Sequence, residues 1–157
     1  PVARAYSAFL HLVRDGRETT VDFGSALREE EARIRDRWEH IWHYKRMGFY
    51  HEQVKRYYDL FDREQIRLYT YRRFTSEPLS VLQDLFRFLG VDDTFAPDLT
   101  VRHNSASIPA HLRPPLLLDV WTELQQAYRE DVLRLQDLTG LDVSHWLTDA
   151  PYRSNTS

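Results

Sequence analysis

The sequence reads Ile66-Arg67-Leu68-Tyr69-Thr70-Tyr71 near the middle of its 157 residues. Apolar and polar side chains alternate there, and β-favouring residues are frequent, so the pattern predicts a β-strand over residues 66–71. No other segment has a convincing strand pattern. A buried strand needs partners for its backbone N–H and C=O groups. We therefore expect the rest of the sheet to lie outside these residues, upstream of Pro1 or in another chain.

Helical patterns dominate the sequence on both sides of that stretch. Apolar residues recur with helical spacing from Pro1 to Val13, from Ser25 to Trp42, from Tyr50 to Phe61, from Pro78 to Leu89 and from Leu116 to Leu138. Gly90 and Gly140 follow the last two patterns and predict their ends. Residues 92–115 carry prolines and serines without a regular period, which predicts a long functional loop.

Composition excludes several classes of protein. No apolar run approaches the roughly 20 residues needed to cross a bilayer, and no secretory signal pattern is present, so we expect no membrane segment and a cytoplasmic location. The chain has no cysteine, which excludes disulfides, thiolate metal sites and cysteine nucleophiles. A net charge of -3 gives no reason to expect a nucleic acid partner. Its oligomeric state is left open.

Charged and imidazole side chains are the candidates for ion-binding sites. Nearly all cations are arginines, which favour planar, bidentate recognition of anions. The charged run at positions 29–37, which includes Glu30 and Arg33, is expected to form a solvated helix face. His40 and His43 stand at i and i+3 without a second pair of ligands, so we expect no metal site.

Three blocks of sequence resemble the sulfotransferase family, whose members use 3'-phosphoadenosine 5'-phosphosulfate. The opening Pro1-Val2-Ala3-Arg4-Ala5-Tyr6-Ser7 is similar to the end of the family motif Arg-Asn/Asp-Pro-x-x-Arg-x-x-Ser. Residues 48–61, 66–71 and 78–90 resemble the helix, strand and "Phe-Leu-Gly" succession that follows, and residues 138–147 resemble the usual end of bacterial members. The order of the blocks is more specific than any single motif.

The resemblance implies a P-loop-like α/β fold with a central parallel sheet. Residues 1–157 would be the carboxyl-terminal part of one sulfotransferase domain, mostly helical with the one strand at 66–71. The family's phosphosulfate loop, with its catalytic lysine and a nearby base, has no counterpart in this sequence. No catalytic residue is therefore predicted among these residues, and this segment alone is expected to be inactive.

The resemblance also implies a nucleotide site. Ser7 would bind the 3'-phosphate of the donor or of its product, 3'-phosphoadenosine 5'-phosphate, with Arg4 either touching the nucleotide or supporting the loop. Tyr71 matches a tyrosine that contacts adenine, although a strand-end aromatic covering the core is an equal alternative. Arg72 and Arg73 replace the family's acidic residues at the next positions.

A loop and an acceptor wall complete the implied site. Arg102-His103-Asn104-Ser105-Ala106-Ser107-Ile108-Pro109 resembles a family loop that lies over the nucleotide, with Arg102, Asn104 and Ser105 as candidate contacts, or else forms an ordinary polar turn. Ala110 stands where many bacterial members have arginine, so Arg113 is the nearest guanidinium. Tyr50 and His51 are candidates to border the acceptor.

Two functions are consistent with the sequence. The first is transfer of a sulfuryl group to a small or carrier-bound acceptor with a hydroxyl or amine, without a metal cofactor. The second is a non-catalytic helical module for protein interaction, whose surface arginines and aromatics would form the interface.

Overall fold

The computed structural model describes residues 1–100 and 108–148, and these ranges are predominantly helical. Six α-helices lie within them, namely α1 (Val2–Arg14), α2 (Phe23–Arg35), α3 (Tyr50–Tyr58), α4 (Tyr71–Ser76), α5 (Pro78–Leu89) and α6 (Leu118–Thr139). Short 3-10 helices occupy His40–Trp42, Arg46–Gly48, Arg63–Gln65, Ala110–Leu112 and Ser144–Leu147. No helix within these ranges is both long and apolar enough to cross a bilayer.

The predicted strand at residues 66–71 is wrong, because the described ranges contain no strand. The backbone is extended at Ile66 (φ -121°, ψ 125°) and at Thr70 (φ -77°, ψ 145°), as the alternating pattern suggested. The Thr70 side chain then accepts a hydrogen bond from the Arg73 N–H at 3.2 Å and starts α4 at Tyr71. Alternation favours extended backbone, but a ladder also needs a neighbouring strand, and the described residues provide none.

The chain divides into two compact units, Pro1–Lys55 with Ser107–Ser157, and Arg56–Ala106. In the first unit, α1, α2 and α6 bury one hydrophobic cluster. Its centre contains Phe9, Phe23 and Tyr44, whose ring centroids lie 5.3 to 6.0 Å apart. All three side chains are at most 1% exposed, so they fix how the segment before α3 packs on α1 and α2.

The second unit is built around α4 and α5. The Tyr69 hydroxyl donates to Asp84 of α5 at 2.7 Å, and the Arg67 guanidinium lies 3.5 Å from the same carboxylate. These contacts hold the extended segment 66–70 against α5. Gly90 ends α5 in the left-handed conformation, which confirms the predicted stop.

The helical stripe predicted from Ser25 to Trp42 ends early. Helix α2 stops at Arg35, and Arg37 adopts a left-handed φ of 60°. The Trp38 N–H then returns to the Arg33 carbonyl at 2.9 Å, so the chain turns and continues as 3-10 helix. The apolar residues beyond Arg35 have helical spacing in the sequence, but they lie in the turns that follow the helix.

The solvated face predicted at positions 29–37 is wrong at Glu30 and Arg33, which are each 4% exposed. Arg33 donates to both oxygens of Glu18 at 2.7 and 2.9 Å, and the Tyr44 hydroxyl donates to Glu18 at 2.6 Å. Burial works to raise the pKa of the Glu18 carboxyl, but the hydrogen bonds from Arg33 and Tyr44 outweigh it and hold that pKa below its usual value. Charged side chains are tolerated inside a protein when they are paired and hydrogen-bonded, as Arg33 and Glu18 are through both Nη atoms of Arg33.

A close approach at Gly48 gives a test of this packing. A Cβ at position 48 would lie 2.5 Å from Cζ and from the hydroxyl oxygen of Tyr128, whose hydroxyl also donates to the Lys45 carbonyl at 2.9 Å. Gly48→Ala is therefore expected to lower the free energy of unfolding by about 1 to 3 kcal/mol, as overpacking does. Denaturant unfolding measures the loss.

Arg46→Ala is the matched control, because Arg46 is exposed in the same 3-10 helix. It is expected to change the free energy of unfolding by less than about 0.5 kcal/mol. Equal stability of Gly48→Ala and the parent protein would contradict the packing described here.

Candidate active site

A cavity of about 420 Å³ opens in the first unit beside the amino-terminal half of α1. The segment 40–48 and the start of α3 form its other walls. Its polar lining includes Arg4, His11, His40, His43, Tyr50 and Gln53. This volume lies within the range of small-molecule sites in proteins, which are mostly apolar with a few placed polar groups.

The face of α1 that borders the cavity follows from its sequence. Arg4, Ala8 and His11 recur at helical spacing and therefore share one side of the helix. Ala5 and Ala8 are small, which leaves room for the cavity between the longer side chains. Arg4 is exposed and is the one charged side chain in the lining as described.

The start of α1 also has the properties of an anion site. Pro1 occupies the N-cap position and has no side chain that could accept from the first-turn N–H groups. No acidic residue lies in the first turn. Ser7 is half-buried one turn beyond Arg4 and is not part of the cavity lining. The cavity and the serine therefore lie along the same short stretch of helix, on neighbouring sides.

A buried carboxylate on α6 holds the α3 wall of the cavity. Asp131 is 8% exposed and accepts hydrogen bonds from the Tyr50 N–H at 2.8 Å and the His51 N–H at 3.1 Å. It thus supplies from another helix the acceptor that an N-cap side chain would otherwise provide. Tyr50 lines the cavity as a result, whereas His51 is half-buried outside the lining.

A second buried carboxylate holds the adjacent wall. Glu30 of α2 accepts from the Lys45 N–H at 2.7 Å and the Arg46 N–H at 2.8 Å. These donors stand at the start of the 3-10 helix that carries Met47 and Gly48, both of which line the cavity. Each wall is therefore fixed by a carboxylate that has no place in the cavity itself.

Electrostatics connect Arg4 to the α3 wall. Burial raises the pKa of the Tyr50 phenol; the Arg4 guanidinium opposes that shift, and the Asp131 carboxylate adds to it.

His43 contributes a different feature. Its Nε2 atom is buried and has no hydrogen-bond partner among the residues described, which is uncommon for a buried polar atom.

The remaining predicted residues are not brought into this cavity. Arg113 is exposed before α6 and close enough to Tyr6 to oppose the rise that burial causes in the pKa of that phenol. The Tyr6 hydroxyl donates to the neighbouring Pro114 carbonyl. Tyr71 belongs to the second unit, where it is the first residue of α4 and 81% exposed. Arg102, Asn104 and Ser105 fall in 101–107, outside the described residues.

Sequence reasoning missed His11, His43 and Met47 as cavity residues. The one usable signal was on α1, where His11 follows Arg4 by seven residues and so returns to the same face. In the sequence, His43 stands out only through its i, i+3 spacing from His40. Its place in the cavity depends on the early end of α2, which the apolar spacing did not reveal.

The hydrogen bonds of Asp131 predict a measurable effect on the α3 wall. Asp131→Ala leaves two backbone donors without their acceptor, so it is expected to lower the free energy of unfolding by about 1.5 to 3 kcal/mol. Hydrogen exchange at the Tyr50 and His51 amides should also accelerate, and both quantities can be followed by NMR and thermal unfolding.

Glu130→Ala is the control on the same helix, since the Glu130 side chain is 75% exposed and pairs only at the surface with Arg134. It should leave both amides protected. Unchanged exchange at Tyr50 and His51 in Asp131→Ala would show that Asp131 does not hold this wall.

Comparison with known proteins identifies the family of this fold. A family model described as "Sulfotransferase domain" matches residues 1–107. The crystal structure of a sulfotransferase from Alicyclobacillus acidocaldarius is similar at a TM-score of 0.78 and 40% sequence identity, over 93% of this chain and 53% of that chain. No curated protein sequence matches.

These matches define a sulfotransferase fold, in agreement with the motifs. The chain belongs to the sulfotransferase family, and it spans about half the length of the solved relative.

Proposed function

We propose that the protein transfers a sulfuryl group from 3'-phosphoadenosine 5'-phosphosulfate to a hydroxyl or amine of an acceptor. The family match supports the class of reaction. The observation that carries the proposal is the start of α1, where an uncapped helix end, an exposed arginine and a half-buried serine stand beside a cavity of small-molecule size. One helix can thus serve donor and acceptor together.

The start of α1 fits the 3'-phosphate of the nucleotide. First-turn N–H groups and the helix dipole favour an anion at this end. The absence of acidic side chains in the first turn removes the main source of repulsion. In this proposal the Ser7 hydroxyl donates a charge-assisted hydrogen bond to the phosphate. Direct contact of Arg4 or Tyr71 with the nucleotide stays a prediction.

The proposal extends to the architecture of the whole domain. Residues 1–157 would form the carboxyl-terminal part of one domain with a central parallel sheet. The motif order and the coverage of about half of the solved relative support this assignment. Arg102, Asn104 and Ser105 remain candidates for the loop over the nucleotide, with Arg113 as the guanidinium that follows them most closely in the sequence.

The acceptor is assigned to the cavity, with Tyr50 in its wall. When bound, the nucleotide supplies an activated sulfuryl group on a good leaving group. The acceptor oxygen or nitrogen forms its bond to sulfur while the bond from sulfur to the bridging phosphate oxygen breaks. The bonding electrons leave on the phosphate of 3'-phosphoadenosine 5'-phosphate, and the acceptor proton passes to water. The residues described here contribute by positioning, since they hold two reactants on adjacent sides of one helix.

Ser7→Ala in the full-length protein tests the phosphate site. Loss of a charge-assisted hydrogen bond of about 1.5 to 3 kcal/mol corresponds to a roughly 10- to 150-fold weaker affinity for 3'-phosphoadenosine 5'-phosphate. Isothermal titration calorimetry with this desulfated nucleotide measures the change without any need for turnover.

Ser80→Ala is the matched control, because Ser80 is an exposed helical serine in α5. Its affinity for the nucleotide should equal that of the parent protein. If Ser7→Ala also binds with parental affinity, the assignment of the phosphate to α1 is wrong.

A further inference from the structure

The lining of the cavity carries positive charge without a matching negative charge. Arg4 is its charged side chain, and His11, His40 and His43 add imidazoles. No aspartate or glutamate belongs to the lining as the described residues define it. This excess of positive charge contrasts with the chain as a whole, whose net charge is -3.

The buried carboxylates near the cavity have hydrogen-bond partners within the protein. Asp131 accepts from the backbone of α3, and Glu30 accepts from the backbone at Lys45 and Arg46. Glu18 forms an ion pair with Arg33 and also accepts a hydrogen bond from the Tyr44 hydroxyl. All three are less than 10% exposed, so none is available to pair with a cation in the cavity.

From this arrangement we infer that the cavity selects an acceptor that presents a hydroxyl on an apolar body and carries a negative charge, and that it discriminates against ammonium-bearing acceptors. This inference rests on the proposed function and resolves the choice between hydroxyl and amine that the sequence left open. The guanidinium of Arg4 receives the anionic group. Ala5, Ala8, Leu12, Ile41 and Met47 contact the apolar body.

The chemistry of the lining explains why the cavity would favour an anionic acceptor over one that carries an ammonium group. A guanidinium binds carboxylate, sulfate or phosphate oxygens through paired donors. An ammonium group entering the same space would lose water without gaining a carboxylate partner, which is costly in a partly desolvated site. Arg4 and Tyr50 line the same cavity, and the positive charge of Arg4 opposes the rise that burial causes in the pKa of the Tyr50 phenol.

Three phenols of nearly equal size test the inference in the full-length protein. They are 4-hydroxyphenylacetate, 4-ethylphenol and tyramine, which share one acceptor hydroxyl and differ in charge. Binding is measured by calorimetry with and without 3'-phosphoadenosine 5'-phosphate, so the readout does not depend on turnover. The expected order of affinity is anion, then neutral phenol, then cation.

Arg4→Gln identifies the residue responsible. It should reduce the preference for 4-hydroxyphenylacetate over tyramine by about tenfold, the scale of one charge-assisted hydrogen bond. The affinity of the same variant for 3'-phosphoadenosine 5'-phosphate is measured in parallel, so that an effect on the nucleotide is separated from an effect on the phenols. Arg14→Gln removes the same charge from the same helix outside the cavity, where Arg14 pairs with Asp15, and should leave the order unchanged.

The outcomes separate this inference from the proposed function. Parental nucleotide binding with no charge order among the phenols, or with no binding of the anionic phenol, overturns the inference and leaves the proposed function standing. A loss of nucleotide affinity in Arg4→Gln with an intact phenol order assigns Arg4 to the nucleotide and also overturns it. Failure of the parent protein to bind the nucleotide contradicts the proposed function, whatever the phenols do.

Discussion

Two hydrogen bonds to one carboxylate determine the arrangement on which the site depends. Asp131 is buried in α6 and accepts from the backbone of Tyr50 and His51, about 80 residues earlier in the chain. An unpaired buried carboxylate would be strongly destabilising, so the start of α3 must stay where its donors reach Asp131. Glu30 constrains the preceding turn in the same way. The cavity is the space that remains between these two anchored segments and α1.

The buried carboxylates stabilise the walls of the cavity, whereas the residues that line it face the ligand. Three buried carboxylates hold backbone or side chains in place, and their charges are satisfied within the protein. The exposed face of α1 is then free to present arginine and histidine to a ligand. A site for an anionic donor and a site for the acceptor are consistent with this polarity, because neither faces an uncompensated carboxylate.

Local signals in the sequence predicted the helices well where a stop residue was present. Gly140 adopts φ 71° at the end of α6, as expected for a left-handed C-cap, and Gly90 does the same for α5. The early end of α2 could not be foreseen, because Arg37 takes a left-handed conformation without being glycine. The strand predicted at 66–71 was wrong for another reason. Alternation is a property of one segment, whereas a sheet needs a second strand beside it.

The site was predictable only in part. The motif at residues 1–7 directed attention to α1, and the structure places Arg4 in a cavity wall with Ser7 beside it. The burial of Glu30 and Arg33 was hidden, because charged residues at regular spacing have the same pattern on a solvated face as in a paired interior. Whether such a residue is solvated or buried depends on its tertiary partners, such as Glu18 for Arg33. The spacing of residues in the sequence does not reveal those partners.

The central claim is that one stretch of α1 serves the nucleotide and the acceptor together. A crystal structure of the full-length protein with 3'-phosphoadenosine 5'-phosphate and 4-hydroxyphenylacetate tests it most directly. The account predicts the 3'-phosphate within about 3 Å of the Ser7 hydroxyl and the phenol in the cavity beside Arg4. A nucleotide bound away from the start of α1, or a phenol outside the cavity, would contradict it.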